Sequence, residues 1–100
     1  RLVRFNFTTL IHDPGVYNLR VRVFERGRRD GEPLAEEVFP LRLLAGEKQQ
    51  RVVVEVPGAR LWSPKEPNLY RLVASLEDEW EHEAQIETLF GLRKAEAAVA

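Results

Sequence analysis

An alternation of apolar and polar residues with a period of two, repeated along almost the whole chain, is the feature that most constrains its fold. In YNLRVRVFE, Tyr17, Leu19, Val21 and Val23 fall on one face, while Asn18, Arg20 and Arg22 fall on the other. Successive side chains of an extended strand point to opposite sides, so such a run buries one face and wets the other, the signature of an antiparallel strand. QQRVVVEV sets Val52, Val54 and Val56 together, and LYRLVASLE does the same for Tyr70, Leu72, Ala74 and Leu76. EAQIETLF repeats the scheme with Ala84, Ile86, Thr88 and Phe90 inward, and the amino-terminal run sets Val3, Phe5 and Phe7 against Arg4, Asn6 and Thr8.

Turn signals separate these runs: HDPG at 12 to 15, GRRDGEP at 27 to 33, AGE at 45 to 47 and SPKEPN at 63 to 68. Pro40 interrupts LAEEVFPLRLLA; lacking an N–H to donate, it places that segment at a sheet edge or splits it in two. Splitting it gives about seven short strands, the pattern of an all-β, immunoglobulin-like or fibronectin-like antiparallel β-sandwich. The sandwich is expected over residues 1–93, and residues 94–100 as a linker or the start of a following domain, since the tail RKAEAAVA is too short to hold a helix alone.

One hundred residues make one domain with a single modest core. With 44% apolar and 31% charged residues, the chain is neither disordered nor a membrane span, and no apolar run approaches the ~20 residues of a transmembrane helix. A formal net charge of -1 with interleaved signs gives no footprint for nucleic acid or an anionic membrane. The absence of cysteine removes disulfides, thiolate zinc sites and thiol catalysis, and favours a reducing, cytoplasmic setting. The opening RLVRFNF has neither an initiator Met nor a signal-peptide pattern and reads as part of something longer.

The stretch LWSPKEPNLYRL, residues 61 to 72, packs two prolines, a tryptophan and a tyrosine into one connection. Pro64 and Pro67 fix their own φ and steer Ser63 and Glu66 away from helical geometry, so little further entropy is lost on folding. Tyr70, at the start of a strand, is placed to hydrogen-bond back to the connection and pin the crossing between sheets. With LFGLRK about twenty residues later, the stretch resembles the immunoglobulin-like domain of glycoside hydrolase family 2, which includes β-galactosidases, β-glucuronidases and β-mannosidases. Leu61, Trp62, Ser63, Pro64, Pro67, Leu69, Tyr70, Gly91 and Arg93 match the family pattern; Lys65 stands where glutamate is usual and Leu92 where phenylalanine is usual. The resemblance implies a parent in which this sandwich lies between a jelly-roll sugar-binding domain and a TIM barrel carrying the catalytic glutamates. NLYR leans toward the β-galactosidase-like members.

The remaining reactive residues carry no chemistry by pattern. A glycosidase needs two carboxylates facing each other across a sugar, whereas Glu36-Glu37 and Glu77-Asp78-Glu79 read as solvated strand or hairpin ends. His12 and His82 are expected at opposite ends of a seven-strand sandwich, on the order of 25 Å apart, and therefore not as joint metal ligands. Arg20, Arg22, Arg28 and Arg29 read as a solvated strand face and loop. Trp62 is expected in core or interdomain packing. Trp80, in the polar hairpin EDEWEHE, is a candidate for interdomain or sugar contact. No cofactor is implied. The expectation is a noncatalytic spacing domain of a retaining β-glycosidase, whose partners are the neighbouring domains of the same chain. The alternative is a free-standing binding or adhesion module.

Overall fold

The computed structural model describes residues 1–27 and 31–92. The described residues form strands and turns with no helix, in six strands: β1 (Leu2–Ile11), β2 (Gly15–Glu25), β3 (Ala35–Leu43), β4 (Gly46–Glu55), β5 (Tyr70–Asp78) and β6 (Glu83–Phe90). They make two antiparallel sheets, one of order β1-β4 and one of order β3-β2-β5-β6, packed as a sandwich. The tail and the boundary expected after residue 93 lie outside the described residues, as do Arg28, Arg29 and Arg93.

The core is what the alternation dictates. Val3, Phe5 and Phe7 of β1 and Val52, Val54 and Val56 at β4 meet Leu19, Val21 and Val23 of β2 and Tyr70, Leu72 and Ala74 of β5. Val21 and Val23 are completely buried, and each such side chain contributes roughly 1.5 to 3 kcal/mol over an exposed one.

Two expectations need correction. Pro40 does not split its segment: β3 runs unbroken through it, opposite Asn18, because β3 is an edge strand and leaves every second N–H without a ladder partner. The strand count is therefore six among the described residues. With an even number of alternating strands, β1 and β6 run in opposite directions, so the end of β1 and the start of β6 share one end of the sandwich. We call this the upper end; it carries the turns 12–14, 44–45 and 79–82. The lower end carries the 56–69 connection and residues 91 and 92.

The second correction concerns β6. The alternation turns Ala84, Ile86 and Thr88 toward the core, yet all three are exposed and only Phe90 is half-buried. The two-stranded sheet is too narrow to cover this outermost strand.

The outer face of the wider sheet is covered by ions. Arg20 binds Glu77 at 2.9 Å and Glu36 at 3.5 Å, Arg22 binds Glu36 at 2.6 Å, and Arg71 binds Glu87 at 3.2 Å while lying over the Phe24 ring. Beneath them Val73 and Ser75 are buried, opposite Arg22 and Arg20, whose aliphatic stems supply the cover. Arg20 and Arg22 are thus paired and partly buried, not simply solvated.

Candidate functional site

The proline-aromatic stretch forms the crossing from β4 to β5 at the lower end, and its residues are tied to one another before they touch anything else. Ser63 N–H donates to the Glu66 carbonyl at 3.0 Å, and Ser63 Oγ accepts from Glu66 N–H at 3.0 Å. The Glu66 carbonyl also accepts from Asn68 N–H at 2.8 Å, and Asn68 Nδ2 donates to the Leu61 carbonyl at 3.0 Å. Pro64, Lys65, Glu66 and Pro67 are exposed at the tip, while Leu61, Trp62, Ser63 and Leu69 are half-buried behind it. The tip is a rigid bracket.

Tyr70 is buried, with its ring beside Phe90 at 5.8 Å between centroids, and its hydroxyl accepts from Arg60 N–H at 2.7 Å. The bond reaches Arg60, one residue ahead of the stretch 61 to 72, with the hydroxyl as acceptor. The physical effect is that the first turn of the crossing is fixed to the first residue of β5.

Trp62 and Gly91, far apart in sequence, are in contact. The Trp62 N–H donates to the Leu92 carbonyl, and a β-carbon at Gly91 would stand 3.1 Å from Trp62 Cβ and Cδ1. Gly91 thus lies in close approach to Trp62, and a larger residue there makes the Trp62 side chain give way by a few tenths of an ångström. Leu92 packs against the core. On the other side of the crossing, Val56 N–H donates to the Arg1 carbonyl at 2.8 Å and the Ala59 carbonyl accepts from Arg1 Nε at 3.4 Å. One connection thus fixes both residue 1 and residues 91 and 92.

Trp80 sits at the other end, roughly 25 to 30 Å away by strand length. Its backbone is held firmly: Asp78 Oδ1 accepts from Trp80 N–H and His82 N–H, both at 2.8 Å, and Asp78 Oδ2 lies 2.9 Å from His82 Nδ1. Glu81 takes φ 66°, in the left-handed region that closes the hairpin. The indole itself is 74% exposed, and at the same end Leu10, Val16 and Leu44 are exposed apolar residues. A rigid turn presents a solvated tryptophan.

His12 and His82 share this end and line one shallow hollow with Asp13, Asp78 and Glu83, contrary to the separation expected from seven strands. An error of one strand reverses the direction of the last, and with it the end on which His82 lies. No group of three or more metal-competent side chains converges among the described residues.

Glu36 and Asp78 are tied into the fold by hydrogen bonds. Glu36 is held below its ordinary pKa chiefly by the Arg22 hydrogen bond. For Asp78 the largest single influence is desolvation, which raises its pKa, but the bonds from His82 and Trp80 together outweigh it and the net shift is downward. A general acid requires the opposite shift. The Arg22–Glu36 pair was legible in principle, because the β2–β3 register sets the two directly opposite each other. The Arg60–Tyr70 bond had a signal in Tyr70 alone.

An all-β antiparallel sandwich whose sheet crossing is pinned by a tyrosine defines an immunoglobulin-like domain. The chain matches the family model for Glycosyl hydrolases family 2 over residues 3–93, within the region of that family's immunoglobulin-like domain, and it belongs to that family. No individually curated protein matches it.

Proposed function

We propose that this domain is a noncatalytic spacer of a retaining β-glycosidase of the β-galactosidase-like branch, holding a sugar-binding domain and a catalytic barrel at a fixed distance and angle. The observation that carries this reading is the fastening of residues 91 and 92 to the 61 to 70 crossing through Trp62. A bracket that fixes the direction in which the chain leaves β6 also fixes the orientation of whatever follows. The exposed apolar side chains Leu10, Val16, Leu44 and Trp80 at the upper end suit a second neighbour.

The test is Gly91→Val in the parent enzyme, followed by activity on an aryl β-galactoside and by small-angle scattering. The valine displaces the Trp62 ring, so the interdomain distances broaden and kcat/KM falls while the barrel's own stability is unchanged. Unchanged scattering and activity overturn the spacer role. A chain followed by further sandwiches, with no barrel bearing paired glutamates, favours a binding or adhesion module instead.

A further inference from the structure

Trp80 is 74% exposed, more than any other large apolar side chain described, although an indole is among the costliest groups to leave in water. The turn that carries it is already set, because Asp78 Oδ1 accepts from the N–H groups of both Trp80 and His82. A partner therefore has little backbone left to order.

The indole lines a hollow of about 200 Å³ together with Asp13, Tyr17 and Glu79. A drug-sized ligand needs roughly 300 to 1,000 Å³, so this space suits a single side chain. The hollow adjoins a second one, past Val16 and Leu44, and a third that reaches Leu10, His12 and Glu83. Val16, Leu44 and Leu10 are exposed apolar residues, so the surface around the indole is apolar with a charged rim. The charges of that rim are unequal. Asp13, Asp78, Glu79 and Glu83 stand against one arginine, Arg42, and the two histidines. The Asp78 carboxylate is taken up by the hairpin, whereas those of Asp13 and Glu79 have no hydrogen bond or ion pair among the described residues. No described cation lies over the indole.

We propose that the upper end docks a protein surface through an arginine of that partner, whose guanidinium lies on the Trp80 ring and reaches the Asp13 and Glu79 carboxylates, with apolar side chains beside it on Val16 and Leu44. Charge complementarity selects the occupant. Of the aromatic rings, indole holds a cation best, and the excess of carboxylates around it favours a positive group, from which a neutral sugar gains nothing. Arginine fits better than lysine because its planar guanidinium can stack on a ring and fork to a carboxylate. An apolar patch with a polar rim is also the layout of a protein interface, where arginine is enriched. The inference rests on the reading that this end faces a neighbour and deepens it by giving that neighbour's chemistry.

A capped leucine-arginine-leucine peptide, titrated into this chain and followed by NMR at the Trp80 indole N–H, tests it. The peptide shifts that signal and the Asp13 and Glu79 amides saturably, and the shift weakens as salt is raised. The same peptide with citrulline, the neutral isostere of arginine, binds roughly tenfold more weakly. Asp13→Asn combined with Glu79→Gln weakens the arginine peptide severalfold and lessens its salt dependence, while the melting temperature stays unchanged. Equal binding of the two peptides overturns the proposal, as does a titration in which neither moves the indole signal. A shift produced by lactose and not by the arginine peptide also overturns it and makes the occupant a sugar. The spacer reading fails separately, through the Gly91→Val activity and scattering.

Discussion

Gly91 and Tyr70 fix the same crossing by different physical means, and substitution separates them. Tyr70→Phe keeps the buried ring and removes only the acceptor, leaving the Arg60 N–H, at a partly buried site, without its partner. A loss of about 1 to 2 kcal/mol in denaturant-derived stability is expected, at the upper end of a single neutral bond because a donor is orphaned. Gly91→Ala sets a methyl group 3.1 Å from the indole; the ring must yield by a few tenths of an ångström, with a loss of about 1 kcal/mol. Trp62→Ala removes a half-buried ring, so about 2 to 3 kcal/mol is expected, below the range for a fully buried tryptophan. In the double variant Gly91→Ala, Trp62→Ala the clash has no partner, so the Gly91 effect vanishes on the Trp62→Ala background. Additive losses measured by urea titration show that Gly91 matters for another reason.

The elements differ in how firmly they are held, and in how far the sequence disclosed this. Asp78, the last residue of β5, organises the β5–β6 hairpin as a carboxylate, and Glu36 of β3 ties Arg20 and Arg22 in the same state. Both have folded pKa values below their ordinary ones of 3.8 and 4.5. Their contribution is therefore fully present above those ordinary values and is lost as pH falls through the lower folded ones. Thermal midpoints should stay level from pH 7 to about 5 and then fall on further acidification. Asp78→Asn and Glu36→Gln should each flatten that fall, and an unaltered acid limb in both rules the pairs out as its source. Period-two alternation made the inward residues of β1, β2, β4 and β5 legible, because the facing sheet reaches the inner side of those strands. It misplaced β6, since alternation reports which side a residue would occupy and not whether the opposite sheet reaches it. Pro40 was ambiguous for a related reason: edge or break depends on which strands lie outside, a property of the whole sheet. That single choice changed the parity of the strands and carried His82 to the wrong end. At the corner, the sequence disclosed Tyr70 and the prolines, but the contact of Trp62 with Gly91 depends on the path of β6.

At the scale of the whole molecule the two tryptophans divide the work, Trp62 closing the lower end and Trp80 standing free at the upper one. The isolated domain should not hydrolyse aryl β-galactosides, because Glu36, Glu77 and Asp78 are engaged in ion pairs or a hairpin and a two-carboxylate mechanism requires an acid kept protonated. Turnover by the pure domain, abolished by replacing one of its own carboxylates, refutes this. Trp80→Ala tests the other half of the division. With the indole 74% exposed and the hairpin held through backbone bonds to Asp78, the substitution should change the isolated domain's stability by no more than about 0.5 kcal/mol. If the upper end meets a neighbouring domain, the same change in the parent enzyme uncovers apolar surface on both partners. It should then lower the first thermal transition and speed proteolysis between the domains, with kcat on a small aryl glycoside retained. If Trp80 instead stacks on sugar, the signature moves to KM, rising severalfold for an oligosaccharide and not for the aryl glycoside, with the thermal transition unchanged. A variant silent in stability, proteolysis and both KM values leaves the tryptophan with neither role, and the neighbour of the upper end must then be sought at Leu10, Val16 and Leu44.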